Sequence, residues 1–240
     1  RISGYYTRIY DQSKVISYYD DVAATFTNFA MSGIDKVHFG LEAAVSIPIY
    51  HTLALNGAVS WGQYTYDSNP YYLQTQDNSG DIVSDGYVYW KDFRVESTPQ
   101  TAVNVGLSWR SNNNIYLSAD FNYYNNMYLS MSPIYRTDAV ITGGMAPGDI
   151  EHLRRQEKFD SAYTLNASIG KNWYIHRKYT LGFSLDVKNI LNNQDIKTGG
   201  YEQTRLSKNT ETTVTTYQAF DSKYFYMFGT TYYLNLYFRF

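Results

Sequence analysis

Aromatic pairs and one cationic pair are where this chain has the means to do chemistry. Tyr71-Tyr72 and Tyr87-Val88-Tyr89-Trp90 place four phenols and an indole within twenty residues. Flat aromatic faces stack on sugars, heterocycles or chelates, while their OH and NH groups orient a ligand. Packing against neighbouring loops, or an aromatic girdle at a membrane surface, is the competing use of the same residues. In the segment Glu151 to Asp160, Arg154 and Arg155 carry guanidinium forks suited to carboxylate or phosphate. The competing use there is a solvated surface or a contact with lipopolysaccharide.

Catalytic groupings are scarce. With no Cys, the chain lacks thiol nucleophiles, disulfides and Cys-ligated zinc. His38, His51, His152 and His176 do not have the paired spacing of a zinc helix, and neither a nucleophile elbow nor a phosphate-binding glycine loop occurs. His38 and Glu42, on one side of an alternating segment, come nearest to a catalytic pair, and a polar wall accounts for them better. No enzyme activity and no cofactor are expected. With 20 Lys+Arg against 22 Asp+Glu the net charge is -2, which provides no basic field for nucleic acid.

What must position these residues is a set of strands. Apolar residues recur at every second position in Val37, Phe39, Leu41, Ala43, Val45, Ile47 and Ile49, with His38, Gly40, Glu42, Ala44, Ser46 and Pro48 between them. The pattern returns at Leu53 to Trp61, Val103 to Trp109, Ile115 to Tyr123, Tyr163 to Ile169 and Leu181 to Val187. Charges avoid the apolar parity except for Lys171, which lies near enough to a strand end to snorkel to headgroups. The opposite parity holds Glu42, Arg110, Asp120, Asp186 and Lys188 among many small residues. Such asymmetry suits strands with one face in lipid, where Arg or Lys costs about 2 to 4 kcal/mol at the midplane. Helical spans are excluded, since the longest apolar run, Tyr224 to Phe228, is five residues.

Connections alternate in length. Tyr50 to Thr52, Ser111 to Asn114 and His176 to Lys178 are short; Asp67 to Thr98, Met127 to Asp160 and Asn189 to Lys223 are long. Tight turns on one side and long loops on the other are the pattern of outer-membrane barrels. Taking Ile2 to Tyr10 as the first strand and Thr25 to Ile49 as a bent second one, about eight strands are expected. A Thr-rich stretch, Thr210 to Thr216, has strand propensity and is expected to prolong a hairpin beyond the membrane. The final strand alternates Tyr232, Leu234, Leu236, Phe238 and Phe240 with Tyr233, Asn235, Tyr237 and Arg239.

That terminal strand resembles those of bacterial outer-membrane barrels, in which a final aromatic is read by the barrel-assembly machinery. Val187 to Ile196, reading Val-Lys-Asn-Ile-Leu-Asn-Asn-Gln-Asp-Ile, is similar to the Asn-Leu-Phe-Asn segment that closes the penultimate strand of TonB-dependent outer-membrane receptors. Tyr5-Tyr6, Gly40-Leu41-Glu42 and Thr98-Pro99 occur in that family's order, and Thr198-Gly199-Gly200-Tyr201-Glu202 looks most like receptors of the Bacteroides group. Ile-Leu replaces the usual Leu-Phe, and Asp195-Ile196 stands where an aromatic commonly follows.

The resemblance implies an all-β fold, a transmembrane antiparallel β-barrel of which residues 1–240 form the C-terminal part, about the last eight strands of 22. A plug domain and earlier strands would precede Arg1. It implies a cell outer membrane location and import of a scarce or bulky nutrient such as a glycan, peptide or siderophore. The implied partners are outer-membrane lipid and lipopolysaccharide, the assembly machinery, TonB through an N-terminal region, and a surface lipoprotein. A small self-contained barrel with a structural or adhesive role is the alternative, and an outer-membrane hydrolase comes third. Changing Phe240 to Asp is expected to block membrane insertion; surface levels equal to wild type, measured by cell-surface labelling, would rule out the signal role of the terminal aromatic.

Overall fold

Period-two runs of β-branched and aromatic residues favour extended backbone, and the chain is all-β with antiparallel pairing throughout its main sheet. The computed structural model describes residues 1–143, 147–176, 178–209 and 216–240. Its strands are β1 (Ile2–Asp20), β2 (Thr25–Tyr50), β3 (Leu53–Tyr66), the short β4 (Tyr71–Gln76) and β5 (Ile82–Tyr87), β6 (Thr101–Arg110), β7 (Ile115–Asn125), β8 (Ala162–Ile175), β9 (Tyr179–Lys188), the short β10 (Lys197–Tyr201), β11 (Leu206–Asn209), β12 (Thr216–Ala219) and β13 (Lys223–Tyr226), and β14 (Thr231–Arg239). Eight of them, β1-β2-β3-β6-β7-β8-β9-β14, form a meander, and β4-β5 branches from the upper part of β2. A 3₁₀ turn (Ile134–Arg136) and helices α1 (Asp138–Ile141) and α2 (Pro147–Arg154) lie in the second long connection. Neither helix is long and apolar enough to cross a membrane. Of the Thr-rich stretch, residues 210–215 lie outside the described residues.

Register keeps the two faces separate. One row runs Leu53–Trp109–Leu117–Ile169–Leu185–Leu234 and another Ile47–Leu55–Leu107–Ala119–Ala167–Val187–Tyr232, all on one face. Leu41, Val45, Leu107, Leu117, Ile169, Leu234 and Leu236 on this face are exposed. On the other face the row Ser46–Asn56–Gly106–Asp120–Asn166 is polar or small. Its side chains bond along the sheet: Ser46 Oγ donates to Asn56 Oδ1 at 2.8 Å and Asn104 Nδ2 to Asn122 Oδ1 at 2.9 Å. A one-residue slip would exchange these faces, so the alternation itself fixes the pairing.

Tyrosine rings cover the inner-face glycines. Tyr5 pairs with Gly40, Tyr116 with Gly170 and Tyr237 with Gly182, and each ring occupies the space a Cβ on its glycine would need. Folding an aromatic over the glycine of the next strand shields backbone that glycine leaves bare.

β1 and β2 run well past the ends of their neighbours. The first strand was expected to stop at Tyr10 and continues to Asp20; register shifts between Ile9 and Lys14, with Asp11 at φ 53°, break the alternation that would have marked it. In β2 the buried positions are Thr27, Phe29 and Met31 and then Ile34 and Gly40, the change of parity falling at Gly33, φ 73°. The extra residue turns Phe29 and Met31 to the inner side, although they share odd numbering with outward Leu41. They join Ile34, Tyr66, Tyr72, Trp90, Met131, Tyr135 and Leu206 in a hydrophobic core at the long-connection end of the sheet.

β9 closes on Asn189, a buried residue at φ 51°. Its side-chain Nδ2 donates to Asn193 O at 2.9 Å and Phe228 O at 3.0 Å, while its main-chain carbonyl accepts from Thr230 Oγ1 at 2.8 Å. One side chain thus ties the end of β9 to the approach of β14.

Gly170→Ala is expected to cost about 1 to 3 kcal/mol by driving a methyl into the Tyr116 ring. Adding Tyr116→Ala should recover most of that loss, a non-additivity read from urea unfolding midpoints of the four proteins of the cycle.

Candidate functional site

The three long connections fold over one another into a cap, and a buried ion pair holds them. Arg136 ends the 3₁₀ turn with a side chain 0% exposed. Its guanidinium grips Glu202 with two bonds, Nη1 to Oε2 at 2.5 Å and Nη2 to Oε1 at 2.9 Å. It also donates to Ser132 O at 3.0 Å, while the Ser132 N–H donates to Glu202 Oε2 at 2.8 Å. Its own carbonyl accepts the Tyr89 N–H at 2.8 Å. One residue therefore joins the first connection through Tyr89, the second through Ser132 and the third through Glu202. Fork-to-fork geometry is the strong form of such a pair.

Two further ties run alongside. Gln156 accepts the Arg94 N–H at 2.9 Å and donates to Arg94 O at 2.8 Å. Glu157 takes Lys197 Nζ at 3.0 Å and the Tyr224 hydroxyl at 2.7 Å, with the ammonium 3.8 Å from the Tyr224 ring centroid. The hydrogen bond to Glu157, and burial after it, hold the Tyr224 phenol above its ordinary value. Burial pushes the Tyr135 phenol up to about 12, and its hydroxyl donates to Arg205 O at 2.8 Å.

The aromatic residues singled out by the sequence divide between core and surface. Trp90 is 1% exposed, tilted against Tyr66 at 4.7 Å. Tyr72 is equally buried, stacked on Phe29 at 4.6 Å with its hydroxyl 2.8 Å from Ser84 Oγ. Both rings are spent on packing and offer no face to a ligand. Tyr71 and Tyr87 stay exposed and meet edge to face at 5.7 Å. The Tyr71 hydroxyl donates to Asp85 Oδ2 at 2.5 Å, and the Tyr87 N–H donates to Asp138 Oδ2 at 2.7 Å. Tyr89 adjoins the same carboxylate: a hydrogen bond with Asp138, and burial after it, raise its phenol. The Arg154 guanidinium stands 5.4 Å from the Tyr89 ring. Tyr71, Tyr87, Tyr89 and Arg154 thus form one outward array built around Asp85 and Asp138, which sequence reasoning did not single out.

Arg155 is turned elsewhere. It borders an open cleft of about 540 Å³ together with Tyr135, Glu157, Lys158, Glu202, Asp221 and Tyr224. Cations and carboxylates of both signs face this space, a lining suited to small polar or zwitterionic molecules. His38 and Glu42 do not form a catalytic pair: four residues of extended strand separate them, about 13 Å, and His38 Nε2 is buried without a partner. Among the described residues, no group of three or more His, Asp or Glu is placed to hold a metal ion.

No protein-family model matches this chain, and no curated protein matches it.

Arg136→Met leaves Glu202, 12% exposed, without its counter-charge and should destabilise the cap by about 2 to 4 kcal/mol. Adding Glu202→Leu should restore much of the loss. Limited proteolysis of the long connections, run on the single and double variants, checks both outcomes.

Proposed function

We propose that this chain is wall and outer cap of a transmembrane β-barrel in the outer membrane, and that the barrel is a TonB-dependent transporter for a scarce or bulky nutrient. The observation that carries the reading is the division of the eight-strand meander into a continuous apolar face and a polar one, with the folded connections gathered at one end. An exposed apolar face of this extent far exceeds what soluble monomers show, and lipid removes its cost.

Supporting geometry comes from the edges and the stagger. β1 and β14 each have one unpaired side, and in hydrocarbon every unpaired backbone group costs several kcal/mol, so those sides pair with further strands or with each other. Along the row from Leu53 to Ile169 the residue moves from the opening of its strand to the middle, the stagger that inclined barrel strands need. Inner tyrosines lying flat over glycines leave the inner space open rather than filled, which favours a wide barrel over a self-contained narrow one. The long connections then face outward, and the array of Tyr71, Tyr87, Tyr89 and Arg154 is the surface that meets the nutrient. The likeness of Val187 to Ile196 and of the β14 residues Tyr232, Leu234, Leu236 and Phe238, with Phe240 after them, to TonB-dependent receptors supports transport and recognition by the assembly machinery. TonB, through an N-terminal region, and a surface lipoprotein are the partners that go with it.

Leu41→Arg or Val45→Arg should impair folding into bilayers by about 2 to 4 kcal/mol, while Ser46→Arg should be tolerated. Heat-modifiable migration in gels reads the outcome, and equal damage at both parities would refute a lipid-facing register. Replacing Tyr71, Tyr87 and Tyr89 together by Ala should lower nutrient binding by about tenfold or more while heat-modifiability is kept; unchanged uptake would remove the array from the capture site.

A further inference from the structure

Among the described residues, two cations stand on the outward parity of the eight-strand wall, and they are handled differently. Arg8 is neutralised by Asp67, 2.5 Å away, toward the long-connection end. Lys171 lies in the row Ile115–Lys171–Phe183–Leu236, between apolar neighbours. The acidic groups on that side, Asp35 in β2 and Asp67 just past β3, both lie at the long-connection end, away from Lys171. The four ion pairs of the described residues, Arg8–Asp67, Arg136–Glu202, Lys197–Glu157 and Arg205–Asp21, all lie toward the long connections.

The lysine bends toward the tight turn. Its ammonium lies 5.2 Å from the ring centroid of Trp173, two residues nearer the turn on the same face. At the end of the turn, Lys178 Nζ stands 5.2 Å from the Tyr179 ring. Tyr179 in turn stacks on Phe238 at 5.7 Å, and Trp173 lies 5.9 Å from Phe183. Two cations and a bank of rings therefore gather on the outward side of the β8-β9 hairpin.

This inference rests on the membrane reading. A cation on a lipid-facing parity is costly in hydrocarbon, and a lysine stem long enough to reach the interface relieves it. Trp and Tyr favour the same headgroup level. What awaits a cation there is phosphate. With two ammonium groups and, among the described residues, no Asp or Glu side chain beside them, the patch favours a headgroup that has no amine of its own.

We propose that the outward face of the β8-β9 hairpin binds anionic phospholipid of the phosphatidylglycerol class, Lys171 and Lys178 each drawing phosphate to the headgroup level that Trp173 and Tyr179 mark. Each lysine adds about fivefold to the preference for an anionic over a zwitterionic lipid.

The test reconstitutes the full-length protein into phosphatidylcholine vesicles holding an equal minor fraction of brominated phosphatidylglycerol or brominated phosphatidylcholine. Trp173 fluorescence is isolated by difference from Trp173→Phe. Brominated phosphatidylglycerol should quench Trp173 several-fold more effectively than brominated phosphatidylcholine. Lys171→Gln with Lys178→Gln should abolish the difference, and the pair Lys171→Arg with Lys178→Arg should keep it. Equal quenching by the two lipids in the wild type, or a preference that survives both Gln substitutions, overturns the lipid site and leaves the membrane reading standing. Quenching by neither lipid overturns both.

Discussion

A sheet that keeps its apolar side outward can build a protein interior only on its inner side or at its ends. That constraint organises this molecule. The wall between the tight turns and the middle of the strands has little core of its own; its inner face is held by Ser and Asn bonds along the rows and by tyrosines lying over glycines. Apolar burial is concentrated instead where β1 and β2 outrun the other strands and the long connections fold back. The parity change at Gly33 makes this possible, because it lets one continuous strand show its odd residues outward in the wall and inward in the cap.

Within the cap, hydrophobic packing alone would leave three long segments free to slide. The Arg136–Glu202 pair gives them a single relative position. Burying an ion pair commonly contributes little net stability, since desolvation offsets much of the attraction. Its value here lies in geometry: a bidentate grip tolerates few orientations, and the same two residues also engage the Ser132 and Tyr89 backbone. The aromatic array around Asp138 sits directly against this node, because Asp138 follows Arg136 by two residues in the chain.

The eight-strand sheet was legible in the sequence because one apolar face and period two leave a strong, repeated trace. Eight long strands, the tight turns and the outward set from Leu41 to Phe238 follow from it. What stayed hidden depended on contacts the local pattern does not encode. The upper half of β1 was lost because bulges near Asp11 interrupt the alternation. Tyr71 and Tyr72 look alike as residues, yet neighbours on a strand point to opposite sides, so only one could remain at the surface; the structure buries Tyr72 against Phe29. Trp90 went the same way. Arg136 and Glu202 are separated by 66 residues and leave no local mark of their pairing. The tyrosine-over-glycine pairs were findable in principle, since Tyr116 and Gly170, or Tyr237 and Gly182, occupy the inner parity of neighbouring strands.

The long paired run of β1 and β2, bulged near Asp11 and Gly33 but continuous from the tight-turn region to the top of the cap, sets the mechanics of the molecule. Paired along nearly their full length, the two strands form a stiff cantilever rooted in the wall. Thr27, Phe29 and Met31 are rigidly coupled to Leu41 and Val45, so this side of the cap cannot swing without twisting the wall beneath it. The second and third connections lack such a paired run and are held through the Arg136–Glu202 pair, the backbone bond from Tyr89 to Arg136 and the Arg205–Asp21 ion pair. Load applied to the long connections is therefore carried down one side as torsion and borne on the other by a few polar bonds, which makes that other side the compliant half of the cap.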